Sequence, residues 1–212
     1  VDHSNFFKGS IDNVLVFNEA LGDSAIAALY GEQNNPPSVG GDLVAYYPMD
    51  GNNKDVSGYN NHLNVNGAQL TGDRFSLKNH AYSVTEGDSL SAPNSVQQNS
   101  PKASIAFWIN ANDLPPSGEY FILSNGGWQE RWKISLPSHG KMVFTTNNSS
   151  GISDMDAGDG HVVTPGVWQH FVMTHDGSFD RIYLDGVKVA EKAVTGDLNN
   201  TTKPLGIGWN PI

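Results

Sequence analysis

The chain has 212 residues, a formal net charge of −10 from 22 acidic and 12 basic side chains, and no cysteine. That balance repels phosphate backbones and anionic headgroups, which excludes nucleic acid and membrane insertion as expected partners. The missing cysteines exclude disulfides, thiol catalysis and thiolate metal sites. Only 16 % of the residues are charged, while 23 Gly and 11 Pro punctuate the chain. This is the texture of many short strands joined by turns, in a chain long enough to bury a core without staples. No apolar run reaches the length of a membrane span and no signal peptide opens the sequence, so an exported domain would take its signal from a longer parent.

Residues 10–17 (SIDNVLVF) alternate and are rich in β-branched side chains, which predicts a strand. Residues 23–30 (DSAIAALY) alone read as a helix, with Asp23 or Ser24 as N-cap and Gly31 just past the end. Residues 31–42 (GEQNNPPSVGGD) have linker composition and divide a head, 1–30, from a body, 43–212. A head of one strand and one helix cannot bury a core alone, so it must dock onto the body or onto something absent. In the body, strands are predicted over 43–49, 103–110, 120–124, 131–136, 141–145, 168–174, 181–184, 188–192 and 205–208. Asp185-Gly186 between two of them is a hairpin signal.

Four groups of residues invite a chemical reading. The glutamates, at 19, 32, 86, 119, 130 and 191, contain no pair spaced to face each other across a cleft, and no nucleophile elbow or zinc-helix motif occurs, so catalysis is not expected. His170, inside the WQHF strand, reads as structural. The stretch 145–164 (TTNNSSGISDMDAGDGHVVT) lacks a hydrophobic period and reads as a long loop. There Asp154, Asp156 and Asp159 either converge on a cation or on sugar hydroxyls, or simply form a solvated acidic loop. Trp128, after two glycines in NGGWQER, is the tryptophan expected to be exposed. It would stack on a pyranose face while Arg131, Asn125 and Gln129 supply directional hydrogen bonds. Trp132 alternates with Ile134 and Leu136 and belongs in the core. Trp209 is either a second exposed platform or packed beneath a loop.

Several segments together resemble the bacterial laminin-G-like, concanavalin-A-like jelly-roll family. These are YPMDGNNKDVSGYNNHL (47–63), SIAFWIN (104–110), YFILSNGG (120–127), PGVWQHFVMTHDGSFDRIYLDGVKVA (165–190) and, in the head, FKGSIDNVLVFNEALGDSAIAALY (7–30). The resemblance implies an all-β fold: one domain over 1–212, a two-sheet antiparallel jelly-roll sandwich with one short helix, and Trp108 and Trp168 at core positions. It also implies Ca²⁺ held by Asp12 and Asp50 with backbone carbonyls, Asn61 or a neighbouring carbonyl completing the shell; otherwise Asp50 and Asp55 only bond their own turns. In the family the head segment closes the domain, whereas here it opens the chain. The order is therefore circularly permuted, as in a rejoined split domain with 31–42 bridging the original ends, or the sequence spans two tandem copies. The function implied is non-catalytic, lectin-like recognition of a cell-surface glycan by an extracellular, Ca²⁺-dependent bacterial adhesin module, monomeric in isolation. The alternatives are a scaffolding or peptide-binding module and a carbohydrate-binding appendage of a polysaccharidase.

Overall fold

The computed structural model describes residues 5–31 and 42–210. Two antiparallel sheets pack face to face as a jelly-roll sandwich, with strands numbered here in chain order. The first sheet runs β14 (Val187–Ala193), β13 (Phe179–Leu184), β12 (Gln169–His175), β7 (Ala103–Ala111), β1 (Gly9–Phe17), β5 (Ala81–Val84), β4 (Gln69–Thr71), with β2 (Leu43–Tyr47) also paired to β1. The second runs β11 (Gly151–Asp156), β10 (Val143–Asn148), β9 (Trp132–Pro137), β8 (Glu119–Asn125), β15 (Leu205–Ile207), β6 (Ser89–Ala92), β3 (Asn64–Asn66). Alternation decides which side chains meet between the sheets: Ile105, Phe107 and Ile109 from β7, Phe171 and Met173 from β12, and Trp132, Ile134 and Leu136 from β9.

The head is built into the first sheet. β1 lies between β7 and β5, and Val14 to Phe17 pair with β2. Helix α1 (Asp23–Gly31) lays Ile26 and Leu29 on the outer face of this sheet, against Leu15, Phe17, Ala106, Val172 and Tyr183. Each large aliphatic or aromatic chain buried there contributes roughly 1.5–3 kcal/mol, which no 30-residue piece gains alone. The Tyr183 hydroxyl donates to Asp23 Oδ1 at 2.7 Å and fixes the start of the helix. Towards the other end of the head, the Phe7 amide donates to the Gly208 carbonyl at 3.0 Å, which sets Phe7 beside the end of β15. A circular permutation also implies that Val1 and Ile212 lie close together, an expectation that falls outside the described residues.

A polar bridge crosses the core. Thr146 Oγ1 of the second sheet donates to Asp180 Oδ2 (2.7 Å), whose Oδ1 meets His175 Nδ1 (2.7 Å), while His175 Nε2 faces the Gly196 carbonyl (2.8 Å). Asp180 and His175 are fully buried. Each ring nitrogen of His175 faces an oxygen, so the imidazole donates from at least one of them.

Several expectations need correction. Residues 145–164 are not one long loop: β10 and β11 form a hairpin turning at Ser149-Ser150, because Ser153 and Met155 point inward while Ile152, Asp154 and Asp156 point outward, and beyond that turn only 157–164 lie outside the strands. A second helix is present, the one-turn α2 (Gly127–Glu130). Trp108 and Trp168 are half-buried rather than core. Trp108 projects from the outer face of the first sheet, and Trp168 precedes β12 instead of lying in it. Strands β3 to β6 escaped prediction because pieces such as NVN and QLT are too short and polar for a periodic signal.

Candidate functional site

The connection between β8 and β9 carries the exposed tryptophan. Gly126 and Gly127 both take positive φ, +71° and +61°, which launches α2 at once from the end of β8. A Cβ on Gly126 would lie 2.5 Å from Thr201 Oγ1, so packing also demands glycine there. The turn presents Trp128, 40 % exposed, with Gln129 exposed beside it.

The residues expected to share ligand contact with Trp128 instead brace it. Arg131 is fully buried, and its Nη1 and Nη2 donate to the carbonyls of Asn199 and Ser100, each at 2.6 Å. Burial without an acidic partner pushes its pKa down to about 10. Asn125, 1 % exposed, donates through Nδ2 to the Lys203 carbonyl at 3.2 Å. Neither can reach a surface ligand. Asn147, which the sequence did not single out, donates through Nδ2 to the carbonyls of Trp128 (3.3 Å) and Gln129 (2.8 Å), and Asn199 Nδ2 donates to Asn147 Oδ1 (3.0 Å). Thr201 Oγ1 donates to Glu130. The platform is therefore a rigid aromatic with an amide rim, held from behind by Arg131 and Asn125.

The three aspartates do not join it. Asp154 and Asp156 project from the same exposed face of β11, the ordinary result of a spacing of two in a strand. Asp154 accepts from Thr145 Oγ1 at 2.5 Å. Asp156 lies roughly 17 Å along β11 from the hairpin turn by strand rise. Asp159 is fully exposed and pairs with Lys141 Nζ (2.5 Å), which lowers the pKa of the acid and raises that of the amine. Among the described residues no group of three or more His, Asp or Glu side chains is placed to hold a metal.

The expected Ca²⁺ ligands are each engaged with other partners. A β-bulge at Asn13 (φ +49°) turns Asp12 to the outer face of the first sheet, opposite Trp108. There Asp12, 1 % exposed, receives Arg74 Nη1 on Oδ2 at 2.8 Å and Asn13 Nδ2 on the same oxygen at 3.2 Å. Asp12 Oδ1 is buried without a partner, and burial raises the Asp12 pKa to about 7, against the opposing pull of Arg74. Asp50 is half-exposed and bound to His80 Nδ1 at 2.6 Å. Asn61 belongs to a turn organised by Asp55, whose carboxylate accepts from the amides of Tyr46, Ser57 and Asn61. A guanidinium on Asp12, the one buried acid of the expected set, and Asp50 and Asn61 held in other turns do not suit a dication.

A further concave feature is a cleft of about 520 Å³ between the start of α1 and β13–β14, lined among others by Glu19, Asp23, Lys102, Arg181 and Tyr183. Its main cation is committed: Arg181 is paired with Asp176 (2.6 Å) and Glu191 (2.7 Å). Trp209 is half-buried, with Nε1 donating to the Leu90 carbonyl at 3.1 Å, so it is packed rather than presented.

A family model described as the concanavalin A-like lectin/glucanases superfamily matches residues 84–211, more than half of the chain. No curated protein matches. Among solved structures, domain 4 of an extracellular arabinanase from Geobacillus stearothermophilus, in complex with arabinotriose, superposes with TM-score 0.58 at 14 % identity, covering 79 % of this chain and 84 % of that one. A structure titled for the dependence of botulinum neurotoxin type C entry on two ganglioside molecules has TM-score 0.52 at 15 % identity, covering 92 % and 45 %. The botulinum neurotoxin serotype G binding domain has TM-score 0.50 at 15 % identity, covering 74 % and 41 %. The chain thus spans less than half the length of the neurotoxin chains it matches. At these identities the likeness is one of fold.

Proposed function

The chain belongs to the concanavalin A-like lectin/glucanases superfamily, and from that premise we propose that it is a non-catalytic module that recognises carbohydrate through Trp128. The observation that carries this reading is the platform itself: a large aromatic, 40 % exposed, on a glycine-launched turn braced by four polar side chains. Holding an apolar ring rigidly in water costs solvation, and a pyranose face recovers it, while the exposed Gln129 amide beside it bonds hydroxyls. The neighbours crystallised with arabinotriose or titled for gangliosides support a sugar as the ligand class.

Against a catalytic role for Glu119 stands its ion pair: both of its oxygens are held by Lys133 Nζ, at 2.7 and 2.9 Å. No helix among the described residues is long and apolar enough to cross a membrane. An extracellular setting, as part of a secreted or surface-attached parent, completes the proposal. The test is a glycan array followed by titration of the best sugar. Trp128→Ala is expected to weaken binding at least about tenfold, with the melting temperature shifted by no more than a few degrees, since the side chain is outside the core. Undiminished binding by a folded Trp128→Ala protein refutes the assignment.

A further inference from the structure

On the outer face of the first sheet, far from the Trp128 turn in sequence, one guanidinium sits inside a stack of rings. The carboxylate of Asp73, accepting from the amides of Phe75 (2.9 Å) and Leu77 (2.8 Å), shapes the turn that delivers Arg74. Its side chain is 8 % exposed, and the guanidinium carbon lies 4.5 Å from the Phe75 ring centroid and 4.6 Å from that of Trp108. The Tyr30 ring stacks on Trp108 with centroids 5.7 Å apart. Asp12 and Tyr30 come from the head, whereas Arg74, Phe75 and Trp108 come from the body.

We propose that Arg74 supplies from within the chain the positive charge that a bound dication was expected to supply beside Asp12, so that the head is clasped to the body without Ca²⁺. Three physical points carry this. The guanidinium already donates to Asp12 at 2.8 Å, and a dication next to it would be repelled. A planar cation suits a slot between two aromatic faces, as a hydrated metal ion does not. The other acids nearby are engaged elsewhere, Asp50 with His80 and Asp73 with its own turn.

Lysine cannot replace arginine in this role, because an ammonium neither spans both rings nor presents a fork to the carboxylate. The experiment is thermal unfolding of the intact chain at about pH 8, where the Asp12 carboxyl is ionised, in chelator and in excess CaCl₂, with calorimetric titration of CaCl₂ into metal-free protein at the same pH. The expected result is no heat of one-site binding and identical melting with and without the ion. Arg74→Ala and Arg74→Lys should both melt lower, the alanine variant by about 6–20 °C, as for breaking a buried pair in a domain of this size. One-to-one Ca²⁺ uptake that raises the melting temperature and vanishes in Asp12→Asn overturns the proposal. So does an Arg74→Ala protein that melts like the parent. The calcium titration on the unsubstituted chain decides the matter even if a variant fails to fold.

Discussion

Replacing Asp12 by asparagine removes one of two buried titratable groups that pull stability in opposite directions with pH. Burial lifts the Asp12 carboxyl from 3.8 to about 7, outweighing Arg74 and assisted by Asp73 and Asp50. Its contribution to stability is complete below about pH 4 and is lost as pH rises to about 7, worth about 4 kcal/mol across the window. His170 lies on the same face, its ring 5.1 Å from Trp108. Burial, with a smaller repulsion from Arg74, lowers its pKa from 6.5 to about 3. That contribution is complete above about pH 6.5 and is lost as pH falls to about 3. Between about pH 4 and 6.5 the two slopes cancel in the parent chain. In Asp12→Asn the His170 slope stands alone, about +1.4 kcal/mol per pH unit, or roughly 3–4 kcal/mol over the window. Urea unfolding followed by tryptophan fluorescence, at half-unit pH steps, reads this directly. Other carboxylates titrate in both proteins and drop out of the difference. Parent and variant curves that run parallel from about pH 4 to 6.5 would refute the reasoning, whatever their vertical offset.

Two further outcomes follow from the fold. Asp180→Ala leaves His175 buried without its acid and severs the Thr146 link between the sheets; a loss of about 3–5 kcal/mol is expected by chemical denaturation, and a loss under about 1 kcal/mol would show the bridge to be dispensable. The Phe7–Gly208 hydrogen bond bears on the expectation of a permuted order. A chain that starts at Asp42 and carries the head after the C-terminus, joined through residues 211–212 and 1–4, should fold as a monomer with a similar circular dichroism spectrum and melting temperature within a few degrees. Failure to fold, or an obligate dimer, would favour the reading as pieces of two tandem copies.

The β content, the positions of the long strands and the helix at 23–31 were legible in the sequence, because periodicity and turn residues act over a few positions and need no partner. So were the exposure of Trp128 and the docking of Leu15, Phe17, Ile26 and Leu29, since a strand and helix of that size must be covered by something larger. The family could be read from 165–190, where motif and register coincide. What the chain could not declare by itself was which polar side chains face water. Arg131, Asn125 and Gln129 stand at equivalent-looking positions in NGGWQER, yet only Gln129 is exposed, because the 199–203 segment and the Ser100 carbonyl, distant in sequence, close over the other two. The tertiary structure likewise decided the fate of Asp12. Strict alternation through SIDNVLVF would send it inward with Val14 and Val16, but one bulged residue reverses its face, and an arginine sixty-two positions away meets it there. Charge compensation is a property of distance in space, and along the chain nothing marked Arg74 as the partner.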